Sequence, residues 1–180
     1  MPKQTPLVLK LPDTRHVKMA QIYISLGSNV NKEHYLRQAL IALKIHLTEF
    51  EHSSVFESEA VGFAGNNFYN SVVGAQTQIP LAELCQLLKQ IERDNGRTDN
   101  DKKFSPRTLD LDLLFYDDVI CDAPAQLPRD EITKNAFVLQ PLAEIAPDFY
   151  HPTAKQTIAQ LWNAYNNPKQ KLWKVEFTNP

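Results

Sequence analysis

Two aspartates in the middle of the chain are the residues best placed to do chemistry. Asp110 and Asp112 alternate with leucines between residues 109 and 113, a pattern typical of a β-strand. Because side chains alternate along a strand, both carboxylates should point to one face, with Cβ atoms roughly 6–7 Å apart. Arg107 lies just upstream. Two carboxylates with an arginine nearby could hold Mg²⁺ against a polyphosphate.

The same stretch also fits an amphipathic strand with a solvated acidic face and a neutralising arginine. Aspartate is depleted from strands, so two of them at this spacing call for an explanation. The strand pattern leaves both interpretations open, and the rest of the chain has to decide between them.

Composition limits the possible functions. The chain has 180 residues, 43% of them hydrophobic and 22% charged, which predicts one soluble domain with a hydrophobic core. A net charge of −2 gives no support to nucleic-acid binding. Cys85 and Cys121 fit no metal spacing or disulfide framework, which favours the reducing cytoplasm. No apolar run approaches the roughly 18–20 residues of a membrane span, so no membrane partner is expected.

The chain divides into a short extension and one domain. Residues 1–18 contain three prolines and show no periodicity, which predicts a flexible N-terminal extension. The alternating pattern that begins after Met19 marks the start of a single domain over residues 19–180.

The predicted elements indicate an α+β fold. Strands are expected at 21–26, 50–58, 68–78 and from 109 onward, and helices at 32–47 and from Pro80 to 94. This order is that of a ferredoxin-like split β-α-β sandwich, an antiparallel sheet with helices packed on one face. C-terminal additions follow, with helices at 135–146 and 157–165 and an edge strand at 171–177.

The glycines give no phosphate-binding loop. Gly27 lies near a strand-to-helix junction, but no Lys-Ser/Thr pair follows it, and no glycine-rich dinucleotide motif is present. A bound nucleotide would therefore have to be held by side-chain cations and metal.

The segment 104–114 closely resembles the signature of the 6-hydroxymethyl-7,8-dihydropterin pyrophosphokinase family, which works in folate synthesis. Segments 24–29, 68–73, 91–97 and 137–147 also resemble pieces of that family, in the same order. The resemblance covers about residues 20–152. It implies transfer of a pyrophosphoryl group from ATP to a reduced pterin, leaving AMP.

The resemblance also implies roles for individual residues. The carboxylates of Asp110 and Asp112 would ligate two Mg²⁺ ions, and Arg97 and Arg107 would be the catalytic arginines that neutralise the polyphosphate. The pterin would be held by Ser58, Val61, Phe68, Asn70, Phe104 and Phe137. The nucleotide would contact Lys89, Glu92, Lys103, Leu113 and Arg129. The loops 59–67 and 98–105 would close over the substrates, and the protein would act as a monomer.

Several positions depart from the family pattern. Arg129-Asp130 stands where a His-Tyr pair is usual, Asn135-Ala136 replaces Arg-Gly, Phe68 replaces a tyrosine, and Phe104-Ser105 replaces Trp-Gly.

These changes suit an alternative function, a catalytically weak paralogue that binds a pterin or nucleotide as a regulatory module. The retained carboxylates and arginines favour the enzyme. A ferredoxin-like nucleic-acid module would need exposed aromatic residues within a basic surface.

Overall fold

The described residues form a mixed α+β fold around one antiparallel sheet. A computed structural model describes residues 18–60, 65–96 and 108–180. The strands are β1 Ala20–Ser28, β2 Thr48–His52, β3 Val55–Ser58, β4 Phe68–Thr77, β5 Asp110–Tyr116, β6 Tyr150–His151, β7 Gln156–Thr157 and β8 Leu172–Val175. The helices are α1 Lys32–His46, α2 Leu81–Asp94, α3 Glu131–Lys134, α4 Ala136–Ile145 and α5 Ile158–Ala164.

The main sheet has the order β5-β1-β4-β3-β8, with β2 also paired to β4. The strand carrying the two aspartates therefore lies beside β1, as the split β-α-β order predicts, and the predicted edge strand is confirmed as β8. The predicted strand 50–58 divides into β2 and β3. The division falls at Ser53, whose Oγ accepts the Val72 N–H at 2.9 Å and donates to the Ser54 carbonyl at 2.8 Å.

Each face of the sheet carries its own hydrophobic core. Buried leucines of α1 and α2 pack with Ile22, Ile24, Leu111 and Leu113 on what we call the α1/α2 face. Helices α4 and α5 pack with Tyr23, Val72, Leu114 and Phe115 on the opposite, α4/α5 face. The sequence predicted the helices of the split β-α-β core on one face and assigned no face to the C-terminal helices. In the structure β1, β4 and β5 carry apolar side chains on both faces, and the C-terminal helices cover the second one.

A bulge in β5 adds to the second core. Ile24 pairs with Leu113 and Tyr23 pairs with Phe115, so Leu114 is an extra residue in the ladder. Strict alternation would place only one of the residues 114 and 115 on the α4/α5 face. The bulge lets both pack there.

The C-terminal part contains elements that the sequence did not suggest, namely α3 and the short hairpin β6-β7. The helix predicted at 157–165 is confirmed as α5. It begins with a capping box in which the Thr157 hydroxyl accepts the Gln160 N–H and the Gln160 side chain accepts the Thr157 N–H. Within the part of the chain that the structure describes, the helices lack the length and apolar character needed to cross a membrane.

Protonation of His151 should destabilise the fold. His151 is buried against Phe115, and its Nδ1 accepts the N–H groups of Thr153 and Ala154 at 3.3 and 2.9 Å. Burial lowers the pKa of this imidazole below its ordinary value. The unfolded chain therefore binds a proton more readily, and the contribution of His151 to stability should fall as the pH drops below about 6.5, by at most about 1.4 kcal/mol per pH unit.

Urea unfolding between pH 7.5 and pH 5 measures this dependence. His151→Asn keeps an acceptor for the two N–H groups but cannot titrate, so we expect its stability relative to that of the wild type to rise as the pH falls. The exposed His46 supplies the control, since His46→Gln should retain the wild-type slope. If the free energy of unfolding of His151→Asn varies with pH as it does in the wild type, His151 is not the group that titrates.

Candidate active site

Five of the predicted site residues share the α4/α5 face of the sheet. Since Leu111 and Leu113 pack on the α1/α2 face, Asp110 and Asp112 point the opposite way. The same alternation in β3 and β4 directs three further side chains to this face. These are Ser58, Phe68 and Asn70.

The strand register places Asn70 and Asp110 in one row across the sheet. Gly27 of β1 pairs with Asn70 on one side and with Asp110 on the other. Two strand spacings put their Cα atoms roughly 10 Å apart. In the next row, Ser25 is the partner of Asp112. The predicted pterin-binding amide and one of the two predicted metal carboxylates, Asp110, therefore flank one glycine.

Asn70 is held in a defined orientation. Its Nδ2 donates to the Ser58 hydroxyl at 2.8 Å and to the Phe56 carbonyl at 3.3 Å, and the residue is only 5% exposed. With the amide nitrogen used in this way, Oδ1 is the atom that turns toward Gly27. A ligand over Gly27 would therefore meet a hydrogen-bond acceptor.

Space above Gly27 is kept by the absence of a side chain. A Cβ at this position would lie 3.9 Å from both Asn70 Oδ1 and Phe68 Cδ1. Phe137, in the first turn of α4, packs against the core on the same face of the sheet. The two phenylalanines predicted to hold a flat ring thus belong to the face that carries Asn70.

Asp112 is a carboxyl group with an unusual environment. Its side chain is 20% exposed, and Arg129 Nη2 lies 3.2 Å from its Oδ1. Burial, followed by repulsion from Asp110, raises the pKa of Asp112 to about 8, and the opposing attraction of Arg129 does not cancel these effects. With its side chain 20% exposed and in contact with Arg129, Asp112 differs from the freely solvated acidic residue that the sequence left open.

Arg129 reaches the site from the segment before α3. Its backbone N–H donates to the Leu114 carbonyl at 3.1 Å, which attaches the segment to β5. Nη2 is shared between Asp112 and Glu131, at 3.2 and 3.4 Å. Nε is buried and has no hydrogen-bond partner in the described part of the chain.

Three other residues predicted to contact the nucleotide lie at separate places around β5 and α2. Glu92 is 8% exposed and accepts the Leu111 N–H at 3.4 Å, so it lies beside the carboxylate strand. The Leu113 side chain is buried in the α1/α2 core, which leaves only its backbone for a ligand. Lys89 lies on the exposed side of α2. The roles of these three residues remain predictions.

Several predicted site residues lie outside the described residues, and their roles also stay predictions. They are Val61, Arg97, Lys103, Phe104 and Arg107.

The sequence did not single out Gly27, Ser25, Thr108 or Glu131 as site residues. Gly27 and Ser25 belong to the site through the strand register, and Glu131 through its contact with Arg129. Thr108 Oγ1 is, with Arg129 Nε, one of two buried polar side-chain atoms that have no hydrogen-bond partner among the described residues. Both atoms flank β5. Gly27 and Ser25 could have been recognised as site residues only from the pairing of the strands.

The donor set fits a divalent cation that a substrate helps to hold. Asp110 and Asp112 offer oxygen ligands on one face of β5. Among the described residues, His, Cys, Asp and Glu side chains do not gather in threes around a possible ion. Mg²⁺ commonly binds one or two carboxylates together with substrate phosphates and water, and it does not require a complete protein cage.

The fold and the acidic strand together define a ferredoxin-like α+β protein with a pair of carboxylates on one face of its sheet. The sequence model of 7,8-dihydro-6-hydroxymethylpterin-pyrophosphokinase (HPPK) matches residues 23–147, and the chain belongs to this family. The resemblance seen in the sequence is thereby confirmed.

Two relatives illustrate the similarity. The chain is 35% identical over 145 residues to the 2-amino-4-hydroxy-6-hydroxymethyldihydropteridine pyrophosphokinase of Aquifex aeolicus, covering 79% of this chain and 90% of that protein. It is 39% identical over 128 residues to the enzyme of the same name from Bacillus subtilis, covering 68% and 76%.

Solved structures support the fold. The HPPK-DHPS protein of Plasmodium falciparum superimposes with a TM-score of 0.65 at 15% identity, over 81% of this chain. This chain spans 44% of that longer chain. At such identity the likeness shows the fold alone, and it confirms the ferredoxin-like α+β architecture.

Proposed function

We propose that the protein transfers a pyrophosphoryl group from ATP to the hydroxymethyl group of 6-hydroxymethyl-7,8-dihydropterin, in folate biosynthesis. The observation that carries the proposal is the row Asn70–Gly27–Asp110, which puts an amide acceptor and a carboxylate proposed to bind metal on one face. Family membership supplies the reaction class. No contact among the described residues favours the regulatory module.

The reaction forms one bond and breaks one. The pterin hydroxyl oxygen attacks the β-phosphorus of ATP and loses its proton. The bond between the β-phosphorus and the oxygen that bridges to the α-phosphorus breaks, and its electron pair leaves with AMP. Such a transfer depends mainly on in-line positioning and on neutralising charge.

Asp110 and Asp112 are proposed to hold two Mg²⁺ ions. When bound, the metal would neutralise the negative charge that the transferred phosphates develop. The protein's part is to place two oxygen ligands on one face of β5 and to keep Arg129 beside them. Arg97 and Arg107 are proposed to add fixed positive charge on the polyphosphate. Lys89, Glu92, Lys103, Leu113 and Arg129 complete the proposed nucleotide contacts.

The pterin is proposed to bind over Gly27. Asn70 Oδ1 would accept a hydrogen bond from an N–H of the pterin edge, and Phe68 and Phe137 would pack against the flat ring. Ser58 orients Asn70 by accepting its Nδ2 hydrogen bond. Val61 and Phe104 are proposed to complete the pocket.

Broader features belong to the same proposal. Residues 19–180 act as a single pyrophosphokinase domain that follows an N-terminal extension, residues 1–18, and the protein works as a monomer in the cytoplasm.

Product analysis tests the proposed reaction. Purified protein, MgATP and 6-hydroxymethyl-7,8-dihydropterin should give AMP, as measured by ion-exchange chromatography, and each substrate alone should give none. Folded protein that forms no AMP above background contradicts the proposal.

Substitutions at Gly27 test the position of the pterin. An alanine Cβ would meet only ordinary contacts at 3.9 Å, so Gly27→Ala should fold normally and lose less than about tenfold in kcat/KM. Gly27→Val fits a strand but fills the space between Asn70 and Asp110, and it should lose more than about 100-fold. Steady-state kinetics and circular dichroism measure both effects. Equal activity in the two variants contradicts a pterin over Gly27.

A further inference from the structure

We propose that Arg129 occupies the metal site at Asp112 in the substrate-free protein and moves to the triphosphate when the metal–nucleotide complex enters. Arg129 would thereby couple metal binding to nucleotide binding. The inference rests on the proposed function, and it adds a positioning role at a residue where the chain departs from the family pattern.

The guanidinium group already lies in the way of a metal ion. Arg129 Nη2 is 3.2 Å from Asp112 Oδ1, the same carboxylate proposed as a metal ligand. A divalent cation and a guanidinium that bind one carboxylate repel each other, so full metal binding requires the arginine to withdraw.

Glu131 gives Arg129 a second position. It accepts from the same nitrogen at 3.4 Å, and the Arg129 backbone is fixed by the Leu114 carbonyl at 3.1 Å. The side chain can therefore leave Asp112 and retain one carboxylate partner while its backbone stays in place. Both ends of the Asp112 contact are partly shielded, with side-chain exposures of 29% for Arg129 and 20% for Asp112.

The unused hydrogen-bond donor indicates a missing acceptor. Arg129 Nε is buried and lacks a partner in the described residues, although a buried N–H normally has one. A phosphate oxygen would supply it, and a guanidinium binds phosphate through two parallel N–H groups. The acceptor that the free protein lacks is thus of the kind that ATP carries.

Binding measurements on Arg129 variants test the coupling. Two probes are used, Mn²⁺ alone, followed by the EPR signal of the free ion, and Mg²⁺ with α,β-methylene-ATP, followed by calorimetry. In Arg129→Gln, Mn²⁺ alone should bind about tenfold more tightly, because a competing cation is gone, and the nucleotide complex should bind about tenfold more weakly. Arg129→Lys keeps the positive charge but loses the two parallel N–H donors of the guanidinium group. It should lose nucleotide affinity without gaining Mn²⁺ affinity.

A matched control is Lys134→Gln, which removes an exposed cation of the neighbouring α3. It should change neither affinity by more than about twofold. The coupling is contradicted when the two affinities of Arg129→Gln fall together, or when either one stays at the wild-type value. A wild-type protein that binds no metal–nucleotide complex contradicts the proposed function itself, which is a distinct result.

Discussion

Replacing Asp112 by asparagine should abolish turnover and, at the same time, stabilise the metal-free protein at neutral pH. The loss of an ionisable metal ligand should lower kcat by about 10³-fold or more. Burial and the charge of Asp110 raise the pKa of Asp112 to about 8 in the folded protein. At a pH where the Asp112 carboxyl ionises in the unfolded chain but stays protonated in the folded one, this group therefore destabilises the fold. A neutral amide avoids that cost, and we expect a gain of about 1–3 kcal/mol at pH 7.

The sign of the pH dependence follows from the raised pKa. The folded protein retains the Asp112 proton up to about pH 8, whereas the unfolded chain loses it near its ordinary value of about 4. The contribution of Asp112 to the stability of the wild type should therefore fall as the pH rises from about 4 to about 8, so Asp112→Asn should gain stability relative to the wild type over this range.

Urea unfolding of the metal-free proteins at pH 5, 6, 7 and 8 measures this effect, and AMP release measures turnover. Asp118→Asn is the control, since Asp118 is an exposed aspartate just beyond β5 and should behave as the wild type in both assays. An Asp112→Asn variant that is less stable than the wild type at pH 7, or that keeps most of its activity, contradicts the proposed environment and role.

Removing the side chain of Asn70 should impair pterin use without affecting the nucleotide. Asn70→Ala deletes the acceptor proposed for the pterin edge, and it leaves the Ser58 hydroxyl and the Phe56 carbonyl without their donor. We expect kcat/KM for the pterin to fall by about 10²–10³-fold, because a site built for hydrogen bonds is strongly weakened by losing one. The affinity for Mg²⁺ with α,β-methylene-ATP should stay within about twofold.

Two further variants separate binding from general destabilisation. Ser58→Ala removes only the hydroxyl that orients Asn70, and it should cost about tenfold in kcat/KM for the pterin. Ser71→Ala alters a neighbouring buried residue of β4 that pairs with Leu26 and points to the opposite face. It should leave pterin kinetics unchanged. A Ser71→Ala effect as large as that of Asn70→Ala would indicate a structural role for both.

The sequence predicted the carboxylate pair because the information is local. Alternation around Asp110 and Asp112 specifies a strand and a shared face, and neither depends on the rest of the chain. The contact between Asp112 and Arg129 is different. It depends on how the segment after β5 returns to the Leu114 carbonyl, which no local pattern encodes.

The strand register accounts for a second difference between prediction and structure. The sequence indicated that β1, β4 and β5 exist, but only their pairing puts Gly27 between Asn70 and Asp110. The bulge at Leu114 was also hidden, because the sequence 113–115 is continuously apolar and carries no sign of an extra residue. The two helices of the α4/α5 face were predicted, whereas the sheet face that they cover was not.

The fate of the β-phosphorus is the most direct test of the central claim. ATP labelled at the β-phosphorus is incubated with the protein, Mg²⁺ and 6-hydroxymethyl-7,8-dihydropterin, and the products are separated. The proposed function predicts one labelled pterin diphosphate for each unlabelled AMP formed. Labelled ADP, or labelled pyrophosphate in place of pterin diphosphate, contradicts pyrophosphoryl transfer to the pterin.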